Sequence, residues 1–223
     1  YREALTTFPF IRYLANTLII AGLCVLGVVI SNPLVAYGFA RLRAPGKRVI
    51  FIAYLGTMMI PFYVTLIPVY IIWARVFHAI DTYIPLIVPS FFASPFYVFL
   101  LRQFFMTIPQ ELSDAAKIDG CGEFTIFTRI MLPLLKPALA VLLIFTFIGT
   151  WNDFFGPLIY INSFEKRTLA LGLAFFQSYS GHAISALNLQ MVVAFIMTVP
   201  CLVLFLFTQK TFLEGIVFTG MTR

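Results

Sequence analysis

The sequence predicts an all-α, polytopic integral membrane helix bundle, on three observations. Apolar runs long enough to cross a hydrocarbon layer of about 30 Å recur along nearly the whole chain. Hydrophobic residues make up 61% of the 223 positions and charged ones only 11%, proportions that an ordinary soluble core does not need. The remaining charge is gathered beside those runs and in one island, Leu112 to Pro137, which holds Asp114, Lys117, Asp119, Glu123 and Arg129. At about 2.5 to 3.5 kcal/mol for each charge at a bilayer centre, that island lies in water.

Taken in order, the first run is Leu14 to Ala40, with Pro33 inside it and expected to kink it. The cations Arg41, Arg43, Lys47 and Arg48 follow at once. A second span is expected from Val49 to Trp73, interrupted by Pro61 and Pro68, and then a short turn with His78 and Asp81. The third runs from Tyr83 to Phe105 and carries Pro85, Pro89 and Pro95. After the island, a fourth is expected over Ala138 to Ile161, a polar stretch over Asn162 to Asn188, a fifth span over Leu189 to Phe207, and a short mixed tail. The chain, 1–223, reads as a single transmembrane domain with 106–137 as a loop within it.

Counting cations orients the bundle. Arg41, Arg43, Lys47, Arg48, Arg102, Lys117, Arg129, Lys136, Lys210 and Arg223 fall on one side; Arg2, Arg12, Arg75, Lys166 and Arg167 fall on the other. Ten against five puts the charged island and the C-terminus in the cytoplasm and residue 1 outside. A chain that begins outside is expected to have had an earlier helix, so a sixth span and a cytosolic start are expected upstream. Topology also accounts for the net charge of +6, since the basic residues are not interleaved with stacking aromatics as a nucleic-acid surface requires. Cys24, Cys121 and Cys201 have neither an even count nor metal-ligand spacing, which argues for reduced thiols and no metal site.

The island reads as helix, glycine turn, helix. Glu111 and Asp114 suit the positive end of a first helix, with Leu112, Ala115 and Ala116 at helical spacing on its apolar face, and Gly120 ends it. Phe124, Phe127, Ile130 and Met131 mark one face of a second helix that ends near Pro133 and Pro137. Asp114-Ala115-Ala116, three residues, Gly120, nine residues, and Ile130-x-Leu132-Pro133 resemble the EAA loop, the signature of permease subunits of binding-protein-dependent ABC importers. Asp114 stands where that signature has Glu. The resemblance extends through Asn16-Thr17, the Ala36 to Arg41 segment AYGFAR, Ile60-Pro61, Ile67-Pro68, Thr82-Tyr83 and the Ile108 to Leu112 segment IPQEL. It continues through Trp151-Asn152-Asp153-Phe154, Thr168-Leu169 and Glu214-Gly215, and points to the carbohydrate branch, similar to the smaller membrane subunit of the maltose importer.

The resemblance implies the type I importer fold and a non-enzymatic subunit of a bacterial or archaeal inner membrane. Its partners would be a substrate-binding protein, a second permease and a cytosolic ABC ATPase dimer, its cargo a sugar. ATP and Mg²⁺ would sit on the ATPase, since this chain has no GxxxxGK[ST] loop. It further implies that Asp114, Ala115, Ala116, Asp119, Gly120, Ile130, Leu132 and Pro133 couple the spans to that ATPase. There the acids would meet basic groups, the two alanines would admit the partner's surface, and Ile130, Leu132 and Pro133 would anchor the second helix. Catalytic residues are not expected.

Within the spans the one acid is Asp153, about 22 Å along a helix from Ala138, beside Trp151 and Asn152. A carboxylate there needs a polar cavity or a partner. Two readings stay open: a sugar-pathway or subunit-interface position, and a hydrogen bond clamping an unwound turn before Pro157. Tyr54, Tyr63, Tyr70, Trp73, Tyr97 and Tyr160 are candidates to stack on sugar rings, or packing. Glu165, Lys166 and Arg167 are either a contact for the binding protein or a solvated run. Glycerol phosphate, amino acids and peptides are the alternative cargoes. A secondary transporter or channel, the alternative mechanism, would favour more ionisable groups near the midplane.

Overall fold

The computed structural model describes residues 9–175 and 183–220, with side chains in the second stretch described within 187–206. The pair Glu214-Gly215, His182 and the cations Arg2, Lys210 and Arg223 of the charge count lie outside the described side chains. Helices α1 to α10 run Phe10–Arg41, Lys47–Met59, Phe62–Val76, Ile84–Thr107, Glu111–Ile118, Glu123–Leu134, Lys136–Trp151, Phe155–Tyr160, Leu169–Ala174 and Ala183–Gly220. No strand occurs among the described residues.

Helix α1 is the central post. Tyr13, Thr17, Ile20, Ala21, Cys24, Val28, Asn32 and Ala36 form its buried stripe, against α4 and α7, while Leu18, Ile19, Leu23, Leu26, Ile30 and Leu34 face outward. That outward row is apolar because lipid, not water, is the solvent. Pro33 sits inside the unbroken helix. Asn32, fully buried, donates to the Val28 carbonyl at 2.9 Å and accepts the Ser94 N–H at 2.8 Å, so it restores a partner where α4 is interrupted at 92–94.

Three expected spans differ from the sequence reading. The second is two helices, α2 and α3, meeting at 93°. Pro61 makes that break, with Ile60 and Pro61 in extended backbone, whereas Pro68 lies within α3 and breaks nothing. The fourth ends early: α7 stops at Trp151, and the Asp153 carboxylate accepts the Gly156 N–H at 3.0 Å, a local bond that competes with the helix ladder before α8 begins. The fifth is longer than its apolar run, Gln190–Leu206: α10 continues to Gly220. Helices α1 and α4 are long and apolar enough to cross on their own, and α6 and α7 meet at 77°, which turns the charged island away from the span that follows it.

Candidate functional site

The island lies beneath the end of α1 as two short helices. Helix α5 carries Glu111 and Asp114 in its first turn and Lys117 in its last, matching the helix dipole at both ends. It is closed by paired bonds: Gly120 N–H to the Lys117 carbonyl at 3.0 Å and Cys121 N–H to the Ala116 carbonyl at 2.9 Å. That pattern requires left-handed backbone at Gly120, whose φ is +80°. A residue with a Cβ is strained there.

The inward faces are not those that spacing suggested. On α5, Ser113 and Ala116 are buried, while Leu112 and Ala115 point outward. Ala116 therefore faces the chain's own core and does not admit a partner's surface; only Ala115 is placed to do so. On α6, Ile126, Phe127 and Met131 are buried and Phe124 is 73% exposed. The cause is a π-helical turn over Ile126–Met131, which shifts the register of the face by adding a residue to the turn. Ile130 and Leu132 pack partly buried against the core below α1, and Pro133 is exposed.

The end of α1 braces this unit through two side chains. The Tyr37 ring lies 5.2 Å from Phe127 and 5.6 Å from Phe105, and its hydroxyl donates to Glu123 at 2.6 Å. Glu123 also pairs with Lys117 at 2.7 Å, joining α5 to α6 across the glycine turn. Lys117 first, then Tyr37, holds the Glu123 carboxyl below its ordinary value against partial burial. Arg41 donates to the Phe105 carbonyl at 2.5 Å, to the Ile108 carbonyl, and to the Gln110 side chain at 2.5 Å, which satisfies the carbonyls left open at the end of α4. Gln110 in turn donates to Asp114 at 3.3 Å. Tyr37 and Arg41 were legible only as parts of the AYGFAR segment, and their distance in sequence from the island concealed this role.

Outward from these braces the island exposes Asp114, Ala115, Asp119 and Gly120 with four large apolar side chains: Leu112 at 44%, Ile118 at 87%, Phe124 at 73% and Leu134 at 51%. Ile118 carries no signature in the sequence, and Phe124, expected on the packed face of the second helix, points outward instead.

The Trp151 to Asp153 block makes its contacts within the chain. Trp151 is buried, stacks on Phe147 at 5.4 Å and donates to the Met197 carbonyl at 3.0 Å, tying α7 to α10. Asn152, exposed, donates to the Ile148 carbonyl at 2.9 Å. Asp153 holds the turn already described. Of the aromatic candidates, Tyr54 donates to the Ala93 carbonyl at 2.5 Å, Tyr97 accepts from Thr146 at 3.4 Å, and Tyr70 stacks on Tyr160 at 6.0 Å. Tyr63 is 74% exposed and meets Phe155 edge-on.

At the opposite end, Glu165, Lys166 and Arg167 are engaged rather than merely solvated. Glu165 pairs with Arg12 and Lys166 with Asp81, each at 3.1 Å, and Arg167 lies over the Phe164 ring at 3.9 Å. Asp81, read from sequence only as part of a turn, also accepts the Asn162 and Ser163 N–H groups at 3.0 and 2.8 Å and the Ser163 hydroxyl. Ser163, by hydroxyl and then by backbone, holds the Asp81 carboxyl well below the usual carboxylate range, with Lys166 and Asn162 adding to it against partial burial.

The helices and the island together define an integral membrane helix bundle with one braced, water-exposed element. This chain belongs to the family of binding-protein-dependent transport system inner membrane components, whose model matches residues 24–216. The chain is 34% identical to the arabinooligosaccharides transport system permease protein of Bacillus subtilis, over 95% of this chain and 74% of that one. It is likewise 34% identical to the sn-glycerol-3-phosphate transport system permease protein of Escherichia coli, over 94% and 73%. Its fold resembles a chain of a bacterial ABC transporter involved in import of the acidic polysaccharide alginate, with a TM-score of 0.80 over 94% of this chain and 78% of that one, at 22% identity.

Proposed function

We propose that this chain is the permease subunit of an ATP-driven importer of a sugar or oligosaccharide, and that 106–137 is the element through which a cytosolic ATPase dimer moves the spans. The observation that carries the coupling role is the pairing of a rigid base with an unfilled outer surface. Helices α5 and α6 are locked to each other and to α1 by Tyr37, Glu123, Lys117 and Arg41, yet present Leu112, Ile118 and Phe124 to water beside Asp114 and Asp119. Exposed large apolar groups on a cytosolic element favour a protein partner. Rigidity lets displacement of that surface reach α1 rather than dissipate within a loop.

Cytoplasmic placement of the island is supported by the described cations. Arg41, Arg43, Lys47, Arg48, Arg102, Lys117, Arg129 and Lys136 fall at its end of the bundle, against Arg12, Arg75, Lys166 and Arg167 at the other. The carbohydrate cargo is favoured by the arabinooligosaccharide relative; the equally similar glycerol phosphate relative keeps that cargo as the second reading. Delivery by a substrate-binding protein follows from the family. The ATPase partner with its ATP and Mg²⁺, the second permease, and roles for Trp151, Asn152 and Asp153 at a subunit interface belong to the same proposal, with Asp153 serving through the turn it holds.

Replacing Ile118 and Phe124 by Asp tests the coupling surface, because both side chains are largely exposed. The variant is expected to insert normally and to lose cargo-stimulated ATP hydrolysis and uptake in reconstituted vesicles. Uptake at the wild-type rate would overturn the assignment.

A further inference from the structure

We propose that the cleft between the end of α1 and the start of α2 binds an anionic phospholipid, with the acyl chain in the cleft and the headgroup among Arg43, Lys47 and Arg48. The cleft has a volume of about 300 Å³ and is lined chiefly by Val35, Gly38, Phe39, Leu42, Lys47 and Ile50, with Arg43 and Arg48 next to Leu42 and Lys47 in the sequence. It opens at the polar edge of the membrane zone, where the apolar run of α1 gives way to RLRAPGKR, a segment with four cations and no carboxylate.

Three observations point to a lipid rather than to bulk water. Leu42 is 39% and Ile50 58% exposed at the cleft, so its apolar wall continues onto the surface. Helix α2 begins with Lys47 and Arg48, lacks an acid in its first turn and has no side-chain cap; two cations at the positive end of a helix repel it, and a bound phosphate offsets that repulsion. Gly38 lies within α1, where glycine is destabilising relative to alanine, yet a Cβ built there meets nothing within 4 Å. The cleft is therefore open space against the helix at Gly38.

The charge balance favours an anion over a protein helix. Lys47 spends one N–H on the Leu42 carbonyl at 2.5 Å and keeps two. The nearest carboxylates, Asp114 and Glu123, line the adjoining cleft with Arg41 and Arg43; Glu123 is held by Lys117 and Tyr37, and Asp114 receives Gln110. Basic clefts between spanning helices at a membrane surface suit anionic headgroups. The inference depends on the membrane placement of α1 and not on cargo or coupling, so its failure leaves the proposed function standing.

Native mass spectrometry of the full chain, purified with the subunits that accompany it and incubated with mixed micelles of phosphatidylglycerol and phosphatidylcholine of matched acyl chains, reads the site directly. Wild type is expected to retain phosphatidylglycerol in preference to phosphatidylcholine. Arg43→Gln combined with Arg48→Gln is expected to lower that preference by roughly thirtyfold, about fivefold for each cation removed. Gly38→Leu, whose Cβ enters open space and whose side chain extends into the cleft, is expected to abolish retention at unchanged yield. Equal retention of both lipids by wild type would overturn the proposal. So would unchanged retention in Gly38→Leu, or loss of an accompanying subunit in that variant, which would assign the cleft to a protein helix.

Discussion

The two ends of the bundle solve the problem of a loop in opposite ways. In the proposed orientation the outer end, 161–168, has only a single 3₁₀ turn over Phe164–Lys166, so its backbone groups are satisfied by side chains of distant elements. Asn16 donates to the Glu165 and Arg167 carbonyls at 2.8 and 2.9 Å, Thr17 accepts the Leu169 N–H at 2.9 Å, and Asp81 takes two more N–H groups. At the inner end, α5 and α6 satisfy their own backbones, and the ties are aromatic packing and paired side chains from Tyr37 and Arg41. The outer loop therefore spends its polar side chains on holding itself, whereas the inner unit keeps Leu112, Asp114, Ile118 and Phe124 outward. A surface is left unspent where a moving partner is expected, and a knot is tied where the spans must be held together.

Cutting the knot should have the larger effect on stability. Asp81→Ala removes the acceptor of four donors, one of them charged, and is expected to destabilise the protein by about 3 kcal/mol, read as a lower unfolding midpoint in detergent. The contact also has a pH signature. Because the folded Asp81 carboxyl sits below its unfolded value of about 3.9, its stabilisation is complete above that value and fades as the pH falls toward the folded one. Acid titration of wild type and variant should converge below about pH 4; parallel curves would mean that the outer loop is held by Asn16 and Thr17 alone.

At the inner end the backbone, not a polar contact, is the point of greatest sensitivity. Gly120→Val forces a β-branched residue to a φ of +80° and is expected to cost about 1 to 3 kcal/mol. Stability of the bundle should fall less than for Asp81→Ala, while cargo-stimulated ATP hydrolysis should be lost, because the angle between α5 and α6 is what a partner would engage. Wild-type coupling in this variant would show that the turn is not part of the device.

These contrasts also mark what the sequence reveals. The membrane class, the apolar segments and the helix, turn, helix order of the island follow from composition, charge exclusion and Gly120, all of which act locally. The direction each island helix faces does not: a π turn over Ile126–Met131 displaces the period on which face assignment depends, and Ser113 rather than Leu112 turns inward. Pro61 and Asp153 break helices that hydropathy alone treats as continuous, since hydropathy registers lipid compatibility and not backbone bonding. Asp81, Asn16 and Tyr37 gain meaning only from partners roughly eighty to one hundred and fifty positions away, beyond the reach of any local pattern.

The brace beneath the island's exposed face is expected to be weaker than the backbone that shapes it. Tyr37→Phe keeps the ring against Phe127 and Phe105 and deletes only the hydroxyl that donates to Glu123, which retains Lys117. A loss of about 1 kcal/mol is expected, with Lys117→Met in the same background exposing the remainder; simple additivity of the two would mean that the hydroxyl and the ammonium act on Glu123 independently.

Asp114→Glu is the smallest change and asks what a partner would read. Asp114 is exposed and accepts a single bond from Gln110, so a longer carboxylate costs the fold less than about 0.5 kcal/mol and leaves the net charge intact. Its oxygens, however, move outward by one methylene relative to a surface held fixed through Arg41 and Gln110. If a partner reads position as well as charge, coupling measured as cargo transported per ATP should fall while stability stays constant, a separation that the variants at Asp81 and Tyr37 cannot produce. Unchanged coupling would show that the negative charge alone is recognised, and that the rigidity of the base matters for transmitting force rather than for placing this carboxylate.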